Sequence, residues 1–392
     1  MTLAEATMTA QAINIADVYA DLLAGKELFI LDVRNEDDFA RWKVEGRAGH
    51  QVLNIPYFEF IEEEEESLAK LGQPAEVLVV CAKEGSSEYV ANLLIENGIS
   101  ASYLEGGIVT WGDFYDTRLV IDHDYGQIWQ VARPARGDLS FVVVSEGEAA
   151  IIDPLRHIEH YTQTIDGVGA KTKYIFDTHA HADHISGGPA LAKETGGAYY
   201  MHPYDAIHPL DMLPATLPYN YLSDGQTFQL GQFEVKVIWY PGHTLGQVNY
   251  LFTAPNGETF LFTGDGIFLQ SFGRPDLGGK GEAWTPILYE SMFTRLPQHV
   301  TDETLILPAH FSVLDESGSD GIFVLPFGEV KLQNDGLKER TLAEFTEYVL
   351  GNLPVFPPEY VEIKRVNAGL VQPSEEAASE LELSKNICAL SH

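Results

Sequence analysis

The chain is short of cysteine and of positive charge, and it has no long apolar run. Its two cysteines, Cys81 and Cys388, lie far apart, so no disulfide framework can be read and a reducing compartment is expected. Only 24 Lys and Arg stand against 58 Asp and Glu, a formal charge of −34. Without a basic stripe to follow phosphates or anionic lipid, nucleic acid and membrane surfaces are disfavoured as partners. The start, MTLAEATMTAQAINIADVYADLL, lacks a basic segment leading into an apolar one, and no stretch approaches the roughly 18 apolar residues of a membrane span. A cytoplasmic, unanchored protein is the expectation.

What is present is ordinary globular material. At 392 residues and 45% hydrophobic, the chain is long enough for two or three domains with sizeable cores. ELFILDV (27–33) and VLVVC (77–81) read as buried strands, followed by a helical YVANLLIEN, a stop at Gly98 and a third strand, SASYL. Strand, helix and strand in that order predict a small doubly wound α/β domain over residues 10–118. The five glutamates Glu62 to Glu66 within it read as a solvated helix face or loop.

From about Asp122 the rhythm changes. SFVVVSEG and AAIIDP are adjacent strands, YIFDT runs into a His-rich loop, and FEVKVIWYPGH, LFTGD and TLILPAH are strands that close on His or Asp. Asn256-Gly257 between two apolar runs predicts a hairpin with a type I′ turn. This second region extends to about residue 335, and residues 336–392, helical then Pro-rich then acidic, are expected to pack on it as an extension.

The strongest chemical signal is Thr178-His179-Ala180-His181-Ala182-Asp183-His184. Four ligand-type side chains within six positions of a strand-to-helix loop can converge on one or two metal ions. His243 in PGHTLG, Asp265 in FTGDG and His310 in LPAH add three more at later strand ends, and Gly242, Gly264 and Gly266 let backbone pass close to an ion.

HxHxDH followed by His, Asp and His, each closing a strand, resembles the metallo-β-lactamase fold over residues 122–335, which implies an α+β, four-layer αββα sandwich with metal at one sheet edge. Glyoxalase II-type hydrolases and iron-dependent persulfide dioxygenases share these ligand positions. The run Gly273-Arg274-Pro275-Asp276-Leu277 is similar to the Gly-Arg-Thr-Asp-Phe segment of the dioxygenases, departing at Pro275 and Leu277. That resemblance implies one Fe(II) per chain on His179, His243 and Asp265. His181, Asp183, His184 and His310 then orient ligands, with Asp183 and His184 handling protons. Arg274 and Asp276 either shape the substrate site or form a surface salt bridge pinning a loop. The hydrolase resemblance instead implies a binuclear site, two Zn or mixed Zn and Fe. There His179, His181 and His243 hold one metal, Asp183, His184 and His310 the other, and Asp265 bridges.

Cys81 closes a buried strand just before a helix expected to begin at Ser87. Backbone N–H groups at such a position favour thiolate and bound anions, while a buried structural cysteine is the plainer alternative. Together with Asp32-Val33-Arg34, Asn54-Ile55-Pro56 and Leu104-Glu105-Gly106-Gly107-Ile108 through Trp111, the six-residue loop Cys81 to Ser86 resembles a rhodanese domain. That resemblance implies a cysteine persulfide, with Lys83 and Ser86 flanking the bound anion. Glu84 and Ser86 depart from the usual loop, as RAGHQVLNIPY does from the family's Gly-His-Ile-Pro-Gly run.

The two resemblances together imply sulfur chemistry: a low-molecular-weight persulfide such as glutathione persulfide, O2, and sulfite or thiosulfate as partners. The alternative is a thioester hydrolase of the hydroxyacylglutathione hydrolase type. A non-catalytic sulfur carrier is disfavoured by the complete ligand set. A homodimer is left open. Cys388 reads as part of a packed C-terminal segment, with an accessible redox thiol as the alternative.

Overall fold

FILD and VLVV pair side by side because each is apolar on both faces, as strands covered by helices must be. The computed structural model describes residues 9–390, so the first residues of the start read as leaderless, 1–8, lie outside the described residues, as do 391 and 392. The strands β1 (Gln11–Ile13), β2 (Phe29–Asp32), β3 (Gln51–Asn54), β4 (Val77–Val80) and β5 (Ala101–Leu104) form one sheet in the order β1-β5-β4-β2-β3, parallel throughout. Leu31, Val79, Phe60, Val90 and Leu94 fill its core. β1 and the helix Ile15–Leu23, which Asn14 caps by accepting from Ala16 N, extend the domain beyond the elements read from sequence. The glutamate run is exposed and leads into the helix Glu64–Leu71.

Buried polar ties lock the strand ends near Cys81. The Arg34 guanidinium forks onto Asp32, both almost without exposure, and donates to Trp42 O at 2.7 Å. Asn54 Nδ2 donates to the carbonyls of Asp32 and Arg34 at 2.8 and 2.9 Å. The helix Gly85–Glu96 starts two residues earlier than expected, which shortens the loop after Cys81. Gly107 (φ +66°) passes against that loop: a Cβ there would sit 2.5 Å from the carbonyl oxygens of both Cys81 and Lys83.

The second region builds two mixed sheets. One contains β6 (Asp116–His123), β7 (Gly126–Arg133), β8 (Asp138–Ser145), β9 (Glu148–Ile152), β10 (Lys171–Phe176), β11 (Ala198–Met201) and β12 (Asn220–Tyr221), hydrogen-bonded in sequence order. The other runs β13 (Thr227–Leu230), β14 (Phe233–Trp239), β15 (Val248–Thr253), β16 (Thr259–Gly264), β17 (Leu305–Pro308) and β18 (Leu325–Pro326). Their inner faces meet through aromatic rings, Phe141 against Phe262 at 5.3 Å and Phe176 on Tyr250 at 4.6 Å between centroids. Helices Glu159–Gly167 and Gly188–Thr195 pack on the first sheet and Phe327–Gln333 on the second.

Two strand features set up the site. β16 and β17 are parallel neighbours, so the residues beyond their C-terminal ends, Asp265 and His310, emerge side by side. The turn at Asn256-Gly257 is not type I′: only Gly257 (φ +91°) is left-handed, and Ala254 and Glu258 close a longer loop with Ala254 N donating to Glu258 O at 2.9 Å. Asn256 instead spends its side chain accepting from Glu258 N, which removes its need for positive φ.

The chain divides into two compact units, one running to Tyr115 with Arg133–Arg136 and Val313–Gly321, the other holding Asp116–Ala132, Gly137–Ser312 and the chain from Ile322 on. Among the described residues no helix is long and apolar enough to cross a membrane. Gly107→Ala is expected to destabilise the first unit by about 1–3 kcal/mol, because it combines left-handed backbone with a steric clash. Urea unfolding followed by tryptophan fluorescence measures it, and an unchanged midpoint would contradict the packing described.

Candidate metal centre

β10 delivers the chain into the His-rich loop, and a buried carboxylate fixes its first turn. Asp153, at the end of β9, accepts from Thr178 N at 2.7 Å and from Thr178 Oγ1 at 2.9 Å. It does so from a left-handed backbone (φ +51°), a conformation that costs a non-glycine residue and persists only where the surroundings impose it.

His179, His243 and Asp265 converge, with one ligand atom from each inside a 4.8 Å group. Asp265 Oδ2 lies 3.3 Å from His243 Nε2 and 3.8 Å from His179 Nε2. Each imidazole is oriented from its other nitrogen: His243 Nδ1 donates to Arg274 O at 2.8 Å, and His179 Nδ1 faces Thr178 Oγ1 at 3.0 Å, which leaves both Nε2 atoms bare. Those two nitrogens and Asp265 Oδ2 are buried without a hydrogen bond, while Asp265 Oδ1 lies 3.0 Å from His310 Nε2. Orphaned acceptors at zero exposure are what a bound cation satisfies, so the residues fit a metal ion.

The other residues of the set separate into further groups. Asp183, His184 and His310 cluster with Asp138, while Asp265 and His310 also group with Cys388. His181 stands instead with Asp153 and Asp177, its Nε2 3.2 Å from Asp153 Oδ1. Asp138, Asp153, Asp177 and Cys388 were not marked as site residues from sequence. Cys388 is packed as expected, yet packed into the centre rather than away from it.

The charges follow from burial and pairing. Burial pushes His179 well below the ordinary imidazole range, with His181, His243 and Lys364 adding to it, and lowers His243 despite Asp265. Both rings are therefore neutral, the form that binds metal. Burial opposes charge on His310 too, but Asp265 and Asp183 outweigh it and hold His310 well above its usual range. Burial likewise disfavours charge on His181, yet Asp153 overcomes it and His181 is pushed up to about 9. Asp183, despite its burial, is held well below the carboxylate range by His184 and His310.

Residues distant in sequence hold the loops in place. Asp205 accepts from Ala180 N, Gly246 N and Thr244 Oγ1 at 2.8, 2.8 and 2.7 Å, which clamps the His179 loop to the His243 loop. Asn367 donates to the carbonyls of His181 and His184 and accepts from Ser186 N, and Glu382 accepts from Ile185 N at 2.8 Å. Lys364 donates to Ala180 O at 3.2 Å, and burial lowers its pKa. A cavity of about 340 Å³ lies beside the centre, lined by Ala180, Thr244, Tyr204, Trp284, Lys280 and Lys364 among others.

Arg274 and Asp276 do not form a surface bridge. Arg274 is fully buried, forks onto Asp276 at 2.6 and 2.8 Å, and donates to Pro354 O at 2.7 Å and Val355 O at 3.3 Å. Its donors are directed at Asp276 and the C-terminal extension, so the geometry gives it a positioning role, and substrate binding finds no free group there. In the first unit, Cys81 is buried with Sγ 3.2 Å from Ser87 Oγ, while Lys83 is exposed and Ser86 half-buried beside it.

Residues 134–310 match the model of the metallo-beta-lactamase superfamily, and residues 15–113 that of the rhodanese-like domain. The chain therefore carries a rhodanese-like N-terminal domain and a metallo-β-lactamase-fold domain. A Bos taurus protein named persulfide dioxygenase ETHE1, mitochondrial, is 31% identical over 165 residues, 42% of this chain and 59% of that protein. A hydroxyacylglutathione hydrolase from Acidiphilium cryptum (strain JF-5) is 31% identical over 171 residues, 44% of this chain and 63% of that protein. The chain thus spans about three fifths of these curated relatives. In fold it is similar to a crystal structure of a metallo-beta-lactamase from Staphylococcus aureus subsp. aureus COL, with a TM-score of 0.54 and 24% identity over 67% of this chain and 75% of that one.

Two substitutions test the architecture. Asp205→Ala removes the clamp between the ligand loops and is expected to weaken metal affinity by about 10–100-fold, the usual cost of losing an outer-shell partner, as read by competition with a chelator. Arg274→Met leaves the extension's carbonyls without donors and is expected to cost roughly 2–4 kcal/mol in urea unfolding; Arg274→Lys, lacking the planar fork, recovers little of it.

Proposed function

We propose that the metallo-β-lactamase-fold domain is an Fe(II)-dependent dioxygenase that converts a thiol persulfide, O2 and water to thiol, sulfite and two protons. Cys81 of the rhodanese-like domain is proposed to carry sulfane sulfur. The observation that carries the reading is the His179–His243–Asp265 group, from which His181 is set apart beside Asp153 and Asp177. Fe(II) held by two imidazoles and one carboxylate has open positions for a sulfur ligand and O2 and supplies the redox chemistry. The chain's part is to position and protect. Arg274 O and Thr178 Oγ1 orient the two imidazoles, and full burial keeps bulk water from the centre. His310 Nε2 lies 3.4 Å from Asp183 Oδ2 and 3.0 Å from Asp265 Oδ1, contacts that support a role for it in holding a proton during turnover.

The cavity suits a thiol whose far end is anionic, because Lys280 and Lys364 line it against the single carboxylate Asp205, whose oxygens are already taken by Ala180 N, Gly246 N and Thr244 Oγ1, in a chain of net charge −34. Glutathione persulfide has that form. At Cys81, the helix Gly85–Glu96 begins four residues on, Ser87 Oγ is within hydrogen-bond reach of the thiol, and Lys83 and Ser86 in the same loop are proposed to meet an anionic persulfide or thiosulfate.

A second reading rests on the Asp138–Asp183–His184–His310 group, which would supply a second metal position and make the centre a binuclear thioester hydrolase with Asp265 shared. The name of the Acidiphilium cryptum relative supports it as the Bos taurus relative's name supports the first.

Oxygen consumption by iron-loaded protein given glutathione persulfide, beside S-lactoylglutathione hydrolysis on the same preparation, separates the two. The dioxygenase reading expects uptake with sulfite formation at one iron per chain, reduced on the order of a hundredfold or more in Asp265→Ala. Thioester cleavage without uptake, at two metals per chain, overturns it. Cys81→Ser is expected to lose sulfur transfer from thiosulfate to cyanide, and an unchanged rate would sink the role given to Cys81.

A further inference from the structure

Residues 386–390 of the C-terminal segment run along the metal centre. Arg274 N donates to Cys388 O at 2.8 Å, Leu390 N donates to Phe272 O at 3.3 Å, and Gly273 and Ala389 form an antiparallel bridge, so the segment is pinned along the loop that follows Asp265. Cys388 N is held in turn by Asn386 Oδ1 at 2.6 Å. This backbone path leaves the Cys388 side chain with 0% exposure and its Sγ within a 4.8 Å group formed with a carboxylate oxygen of Asp265 and a ring nitrogen of His310. A second observation points the same way: Asp265 Oδ2 is fully buried without a hydrogen bond, while Oδ1 is met by His310 Nε2 at 3.0 Å. The thiol also makes a long contact of 3.8 Å to the Tyr360 hydroxyl. A sulfhydryl is a poor hydrogen-bond donor, and beside a carboxylate and an imidazole its stronger chemistry is that of a soft metal ligand.

We propose that Cys388 is a ligand of the metal centre, its thiolate sulfur bonding the metal beside Asp265. The inference rests on the reading of this site as a metal centre. When the bond forms, the S–H bond breaks and the proton leaves to solvent; no oxidant or reductant takes part. The Asp265 carboxylate and the Cys388 thiolate then come from separate stretches of chain, with the His310 ring held beside them by its carboxylate partners, and the C-terminal extension is tied to the metal as well as to the backbone of the loop after Asp265.

Cobalt(II) titration of the metal-free full chain tests this without reference to turnover. The sequence has two cysteines, so in a Cys81→Ser background every thiolate signal belongs to Cys388. The expected result is visible ligand-field bands on cobalt binding together with a near-ultraviolet thiolate-to-cobalt charge-transfer band. In Cys81→Ser/Cys388→Ser the charge-transfer band is lost, the visible bands persist, and cobalt affinity falls by roughly tenfold or more; the loss of the band, rather than the size of the affinity change, marks Cys388 as a ligand. Visible bands without the charge-transfer band in the Cys81→Ser protein overturn the inference and leave the metal centre standing. No bands at all overturn both. The Cys81→Ser spectrum decides the matter even where the double variant does not fold.

Discussion

Seven imidazole and carboxylate side chains, His179, His181, Asp183, His184, His243, Asp265 and His310, are packed together at 0–2% exposure, and the rest of the domain is arranged around that burial. Removing such groups from water costs several kcal/mol for each one left charged and unpaired. The cluster offsets this by dividing its labour. His310 and Asp183 are charged against each other, His181 leans on Asp153 and Asp177, and His179 and His243 stay neutral. The bare Nε2 atoms of His179 and His243 face Asp265 Oδ2, where a cation would satisfy all three, and further buried atoms of His181, Asp183 and His184 are also without a hydrogen bond.

The same burial explains the C-terminal extension. A loop carrying four ligand-type side chains in seven residues folds outside the sheet ladders, and several of its backbone polar groups are met by side chains from far along the chain. Asn367, Lys364 and Glu382 answer the carbonyls and amides of Ala180, His181, His184, Ile185 and Ser186. Arg274 then fastens the extension from the other side through Pro354 and Val355. Buried backbone groups of this kind are almost always paired, and here the partners come from almost 200 residues away in sequence. The extension is therefore part of the centre's construction rather than an appendage to the sandwich.

How much of this the sequence discloses depends on how local the cause is. The ligand loop is legible because its residues are neighbours in sequence, and His243, Asp265 and His310 are legible because each closes an apolar strand. Asp205 and Asn367 carry no such sign: one lies after a short strand and the other within an amphipathic helix, and only the approach of distant segments gives them their roles. Arg274 misleads for a related reason. An Arg and an Asp two apart in a Gly- and Pro-containing loop look like surface, and only the arrival of residues 354–355 and 387 turns them into interior. Asn256-Gly257 fails on a smaller scale, because a side-chain hydrogen bond to Glu258 lets the turn close without a second left-handed residue.

Charge connects these observations to the proposed chemistry. A net charge of −34 repels any anionic substrate at long range, and salt screens that repulsion over about 8–10 Å. Within the cavity the sign is reversed by Lys280, which is exposed, and Lys364, which is not. Burial weakens Lys364 as a cation, yet Asp205, Asp183 and Asp265 act in the opposite direction, so the negative side chains that build the centre also help keep that ammonium charged. Lys364 thus stands between two demands. It satisfies Ala180 O within the ligand loop, and it faces the space where the anionic end of a thiol would lie. A residue in that position couples the order of the loop to the charge of what binds beside it, since an anion drawing on the ammonium competes with the carbonyl that helps hold His179 and His181 in place.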